Sequence, residues 1–195
     1  MFAGFLIATL GAGCVTPGGG GTELFNGKNL DGWEVTDFAG GGAIKVKDGE
    51  IHMAMGELIS GINLAHENIP RTNYELEAEA MKLDGNDFFC GLTFPVGDTF
   101  ASFIPGGWGG TVVGLSSIDG MDAAENETAT FKQFKTHQWY HFRVRVTPGK
   151  IQCWVDDEMV VDLLLEDRAI ALRAGPIELS VPIGITSFQT VTRLR

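Results

Sequence analysis

The sequence predicts an all-β sandwich of two antiparallel sheets, and three observations carry that reading. Apolar and polar residues alternate with a period of two through many short runs. Gly, Asn and Asp collect between the runs, and the 195 residues include 27 glycines. No stretch keeps a helical period; Leu163–Leu172 offers one turn or two at most.

The clearest stretch is Trp139–Asp162. Tyr140, Phe142, Val144 and Val146 alternate with His141, Arg143 and Arg145, as in a strand with one wet face. Thr147-Pro148-Gly149-Lys150 reads as a tight turn. With Pro148-Gly149 as its two loop residues, Val146 faces Ile151, Val144 faces Cys153 and Arg143 faces Trp154, so apolar meets apolar and polar meets polar. A second turn at Asp156-Asp157-Glu158 leads into Met159–Asp162. A meander with one greasy face needs a second sheet to cover it.

Taken in order, strands are expected near Ala43–Lys47, Glu50–Met53, Glu57–Ser60, Tyr74–Met81, Phe88–Phe94 and Thr99–Ile104. Others follow near Thr111–Leu115, Ala129–Phe134, Gly184–Ser187 and Thr190–Arg195. The core predicted from strand parity is Tyr74, Leu76, Phe88, Cys90, Leu92, Phe94, Tyr140, Phe142, Val144, Ile151, Cys153 and Val155. Residues 1–21 form a separate segment. An apolar run ends in Gly11-Ala12-Gly13-Cys14, and a glycine tether, Gly18–Gly21, follows. Gly11–Cys14 resembles a bacterial lipobox, which implies export, lipidation of Cys14 and membrane attachment through it, in a periplasmic or outer-membrane lipoprotein. The run is too short to span a bilayer. The domain proper is 22–195.

The formal charge is −11, from 14 Lys and Arg against 25 Asp and Glu. That balance argues against nucleic acid or an anionic lipid surface as a charge partner. The three cysteines form no C-x-x-C pair, so neither a thioredoxin-type site nor a zinc ribbon is expected, and Cys90 and Cys153 read as buried free thiols.

The opening Leu24–Trp33, LFNGKNLDGW, resembles the start of the 3-keto-disaccharide hydrolase domain family of bacterial envelope proteins. The resemblance continues through PRTNYELEAEA, DFFCGLTFP, GGWGG, SSIDG, WYHFRV and PIGITSFQT, and so spans Glu23 to Arg195. It implies a concanavalin A-like jelly roll and a carbohydrate ligand, with hydrolysis or elimination of a glycosidic bond in a 3-keto-glycoside as the activity. A non-catalytic carbohydrate-binding or structural module is the alternative. It also implies that the last strand continues beyond Arg195, lying near Thr22–Phe25.

Candidate site residues follow from strand faces. Glu75, Glu77 and Glu79 share one face, about 7 Å apart per step, a separation that suits paired carboxylates in glycoside chemistry. One of them would be the general base and Arg143 the enolate stabiliser. A solvated face balanced by Arg143, Arg145 or Lys82 is the other reading. Trp154 shares the face of Arg143. Trp108, set among glycines, is either a sugar platform or a ring packed under its loop, and the platform reading has it overhanging the glutamates. His137 and His141 are four apart in an extended segment, about 13 Å, and cannot share a metal. Asp119, Asp122, Asn126 and Glu127 put four oxygen side chains in one loop, which is either a calcium site or a plain polar loop. No other cofactor is required.

Overall fold

The computed structural model describes residues 6–10 and 21–195 apart from residue 67. Cys14, the candidate lipidation site, lies outside the described residues. The first strands are β1 (Leu6–Leu10), β2 (Thr22–Glu23), β3 (Trp33–Val35), β4 (Ile44–Lys47) and β5 (Glu50–Met53). Next come β6 (Ile59–Leu64), β7 (Tyr74–Gly85), β8 (Gly91–Val96), β9 (Thr99–Gly106), β10 (Val112–Ser116) and β11 (Thr130–Phe131). The chain ends with β12 (Trp139–Thr147), β13 (Lys150–Val155), β14 (Glu158–Leu164), β15 (Gly184–Phe188) and β16 (Thr190–Leu194).

These strands make two sheets. One runs β14-β13-β12-β7-β16-β5-β4, with β1 and β2 added in parallel beside β7. The other runs β11-β10-β9-β8-β15-β6-β3. The predicted meander is in place: Val146 pairs with Ile151, Val144 with Cys153 and Arg143 with Trp154. The closing strand differs from expectation. β16 lies between β7 and β5 rather than beside Thr22–Phe25, because the Gln189 turn carries the chain from one sheet directly into the other.

The core fills the space between the sheets, as strand parity requires. Leu76, Leu92, Phe94, Phe142, Val144, Ile151, Cys153 and Val155 are fully buried, with Tyr74 and Tyr140 nearly so. Tyr74 crosses the sandwich and donates its hydroxyl to Pro95 O at 2.6 Å. Cys90 and Cys153 are buried free thiols. Phe88 departs from the predicted core: the buried ring is Phe89, which packs edge-on against Phe134, Tyr140 and Phe142 at 5.2, 6.1 and 5.6 Å. Regular pairing begins only at Gly91, so strand parity does not reach the two phenylalanines. Phe88 turns to the outer face instead, where its ring edge comes 3.1 Å from the position a Cβ on Gly91 would take.

The β9 sheet is covered on its outer side too. Thr93, Ser102, Ser116 and Thr186 all point outward and all are buried. Small side chains let loops lie directly against this face: a Cβ on Gly184 would sit 2.3 Å from Ser180 O. The segment after β14 is tied to the residue that follows β10 by reciprocal backbone bonds between Ser117 and Ala171 at 2.7 and 3.1 Å. It is tied to β6 by Leu64 N donating to Ile183 O. Between these ties it includes a 3-10 turn, Pro176–Ser180.

Phe89→Ala should lower the unfolding free energy by about 3–5 kcal/mol, the range for an emptied aromatic core position. Phe88→Ala should cost much less, because that ring is only half-buried. Denaturant titration of the two variants checks the assignment, and equal losses would contradict it.

Candidate functional site

The outer face of the β7 sheet carries the predicted carboxylates, and each is held by a basic side chain. Glu75 accepts a hydrogen bond from Arg145 Nε and lies 3.8 Å from Arg143. Glu77 contacts His141 Nε2 at 3.4 Å, and Arg195 Nε donates to Glu79 at 2.7 Å. Cross-strand pairing of β7 with β12 sets the Glu75 and Glu77 contacts, and reciprocal backbone bonds between Glu79 and Arg195 set the third. Arg143 also stacks on Trp154 at 4.0 Å and Arg195 on Trp139 at 4.3 Å. Glu75, Glu77, Glu79, Arg143 and Trp154 therefore share one face, as parity requires. Trp108 does not overhang it: the Gly106–Gly110 loop leaves β9, which belongs to the other sheet. The hydrogen bond that His141 donates to Glu77 raises the pKa of His141 above its ordinary 6.5, and burial offsets part of the rise.

The loop after β10 spends its oxygens within the protein. Asp119 and Glu127 both grip Arg168, with Asp119 at 2.6 Å. Asp119 also accepts from Ala169 N at 2.8 Å, and these bonds hold its carboxyl below the usual range. Asn126 caps the loop, donating to Leu115 O and accepting from the Thr128 amide and hydroxyl. Asp122 Oδ1 accepts from Ser116, and Oδ2 pairs with Arg173 at 3.2 Å. Among the described residues no three His, Cys, Asp or Glu converge as a metal cluster. The Arg168 guanidinium bridges Asp119 and Glu127, two of the four residues of the calcium reading.

A pocket of about 250 Å³ opens on the outer face of the β9 sheet. Ser102, Ile104 and Ser116 come from β9 and β10. Phe88, Phe188, Leu58 and Ile59 form one side, and Arg173, Ala174, Pro176 and Ile177 the other, with Trp108 also lining the cavity. Trp108 has left-handed backbone angles, φ 48° and ψ 54°, and stays 39% exposed. Such a conformation is uncommon for a bulky residue and holds the ring out of the core. Arg173 approaches its face at 6.0 Å.

Asp87 organises the pocket from behind. One carboxylate oxygen accepts from Phe88 N at 2.8 Å and the other from Gly109 N at 3.2 Å. A single side chain thus fixes the backbone on both sides of the cavity. Phe188 N donates to Phe88 O at 3.0 Å, which sets the two rings 5.9 Å apart. Lys82 lies nearby, almost fully buried. Burial lowers its pKa, and the charge of Asp87 partly restores it. Of the pocket residues, sequence reasoning singled out Trp108 alone. The double phenylalanine next to Gly91 was the signal available for Phe88. Arg173 and Phe188 reach the pocket only through the tertiary path of the chain.

A family profile described as a 3-keto-alpha-glucoside-1,2-lyase-like domain matches residues 20–192. The chain belongs to that family. No curated protein matches it. Among solved structures it resembles a Parabacteroides distasonis protein described as a glycosyl hydrolase, at 13% identity, 88% coverage of each chain and TM-score 0.52. It also resembles a structure described by the endo-acting O-glycanases that prominent members of the human gut microbiota express to initiate mucin breakdown: 13% identity, TM-score 0.55, 88% of this chain and 93% of that one. A third is domain 4 of an extracellular arabinanase of Geobacillus stearothermophilus, in complex with arabinotriose: 15% identity, TM-score 0.50, 84% of this chain and 80% of that one. These likenesses show the fold, a concanavalin A-like jelly-roll sandwich.

Two measurements follow from this geometry. A raised His141 pKa means that its pair with Glu77 stabilises the fold fully below the unfolded-state value and loses that contribution as pH rises through the folded value. By NMR, His141 should titrate above 6.5, and Glu77→Gln should bring it down. Asp87→Ala should shift the Trp108 resonance in 19F spectra of 5-fluorotryptophan-labelled protein, while Trp33, Trp139 and Trp154 stay in place. A stationary Trp108 resonance would show that Asp87 does not hold the loop.

Proposed function

We propose that the domain recognises a carbohydrate in the pocket lined by Trp108, and that cleavage of a 3-keto-glycoside is its finer activity. The observation that supports this most is the half-exposed indole of Trp108, fixed over an aromatic-lined cavity in a jelly-roll domain. Flat apolar ring faces are what the carbon face of a sugar stacks on.

The family resemblance favours cleavage, and the pocket offers one pair of groups for it. Oxidation at C3 of the sugar acidifies the hydrogen on C2. A carboxylate takes that proton, and the electron pair forms an enolate with the C3 oxygen. Collapse of the enolate restores the ketone, forms the C1–C2 double bond and expels the group on C1, which leaves with a proton. Asp122 is the carboxylate in contact with two pocket-lining residues, Ser116 and Arg173. In this reading Asp122 is the base and Arg173 steadies the enolate. Glu77 and Glu79 lie on the opposite sheet, against His141 and Arg195, so the proton is not routed through them.

A glycan array beside a 3-keto-glucoside cleavage assay tests both levels. Trp108→Ala should weaken binding about tenfold, or about 1.4 kcal/mol, with the melting temperature nearly unchanged. Asp122→Asn should remove turnover and keep binding, and Glu77→Gln and Glu79→Gln should change neither. Loss of function in a glutamate variant, with Trp108→Ala unaffected, would move the site to the β7 sheet.

A further inference from the structure

The pocket lined by Trp108 offers far fewer hydrogen bonds than a bare sugar requires. Only four of its lining side chains carry a hydrogen-bonding group: Ser102, Ser116, Arg173 and the indole N–H of Trp108. The Ser102 hydroxyl is already shared with Thr93 at 2.8 Å, and Ser116 donates to Asp122 at 3.2 Å. Arg173 uses its Nε on Asp122. Its terminal N–H groups have no carboxylate partner among the described residues, and its side chain is 59% exposed. The remaining lining is aliphatic or aromatic. A sugar pushed to the floor would bury several hydroxyls without partners, which is penalised at every one of them.

An aromatic ring meets none of that penalty. A cavity of about 150 Å³ lined by Leu, Ile and Phe is enough to hold benzene, and this one is about 250 Å³. Phe88 and Phe188, tilted at 40° with centroids 5.9 Å apart, present ring faces and edges to a third ring. Ser102 and Ser116 are short, so they leave the floor deep. The groups a sugar can use, the exposed part of Trp108 and the free end of Arg173, stand where solvent reaches.

We propose that this pocket takes the aromatic aglycone of an aryl glycoside, with the sugar ring held at the mouth between Trp108 and Arg173. The sugar half rests on the carbohydrate reading above; the aryl half rests on the lining alone. The ligand is then bound from its two ends by two chemistries. Apolar burial holds the aglycone, and stacking with a guanidinium donor orients the sugar.

Calorimetric titration of the full chain with phenol, methyl glucoside and phenyl glucoside, each glucoside in both anomers, separates the two halves. Phenyl glucoside should bind at least tenfold tighter than methyl glucoside of the same anomer. Phenol alone should bind weakly but measurably, and Phe188→Leu should bring the phenyl-to-methyl ratio toward one. Methyl glucoside binding as tightly as phenyl glucoside would overturn the aryl site and leave carbohydrate recognition standing. Phenol binding as tightly as phenyl glucoside would overturn the carbohydrate reading and support the aryl pocket. Absence of binding by all of them would overturn both.

Discussion

Burial of the β9 sheet on both faces is the constraint on which the rest of this structure depends. One face meets the β7 sheet across the aromatic core. The other is covered by loops that approach it closely only because Gly61, Gly91 and Gly184 carry no side chain there. A sheet built this way has polar residues in unusual places: Thr93, Ser102 and Thr186 are as buried as the core leucines. Their hydroxyls pair with each other or with the backbone, as Thr93 does with Ser102 and Thr186 with Gly91 O, so the burial leaves none of the three orphaned. The pocket is the part of this covered face that the loops leave open.

The two outer faces therefore have different jobs. On the β7 sheet, Glu75, Glu77 and Glu79 alternate with cations on β12 and at Arg195, and two arginines lie flat on tryptophans. The Glu77 and Glu79 pairs, which solvent reaches, contribute about 0–1 kcal/mol each, whereas Glu75 is buried. Their arrangement matters more for keeping the register of β7 against β12 than for total stability. On the β9 sheet the charges are few. Those present bind backbone or one another: Asp87 to two amides, Asp122 to Ser116 and Arg173, Arg168 to Asp119 and Glu127.

Within the pocket, rigidity comes from the backbone rather than from packing of the rings. Phe88 and Trp108 are both incompletely buried, so side-chain contacts alone would hold them loosely. Asp87 restrains both ends of the cavity through main-chain amides, and β15 adds the bond from Phe188 N to Phe88 O. A ring presented on a fixed main chain loses little entropy when a ligand stacks on it.

The sequence by itself determined the strands, the meander register and most of the core. A period of two, Pro-Gly in the turn and matched apolar faces in Val144–Cys153 and Val146–Ile151 admit one pairing. It also determined that Glu77, Glu79, Arg143 and Trp154 share a face, because parity within paired strands is a local property. Which sheet Trp108 belongs to was not local. It depends on the connection from β8 to β9 and on β16 returning between β7 and β5. Parity likewise failed at Phe88 and Phe89, where the chain is irregular and each ring goes wherever space exists. Phe188 and Arg173, 80 or more residues away from Phe88, meet it only after both sheets have closed. Tertiary structure alone decided the pocket, because a cavity on a covered sheet is made by what the covering loops leave out, and no run of neighbouring residues encodes that.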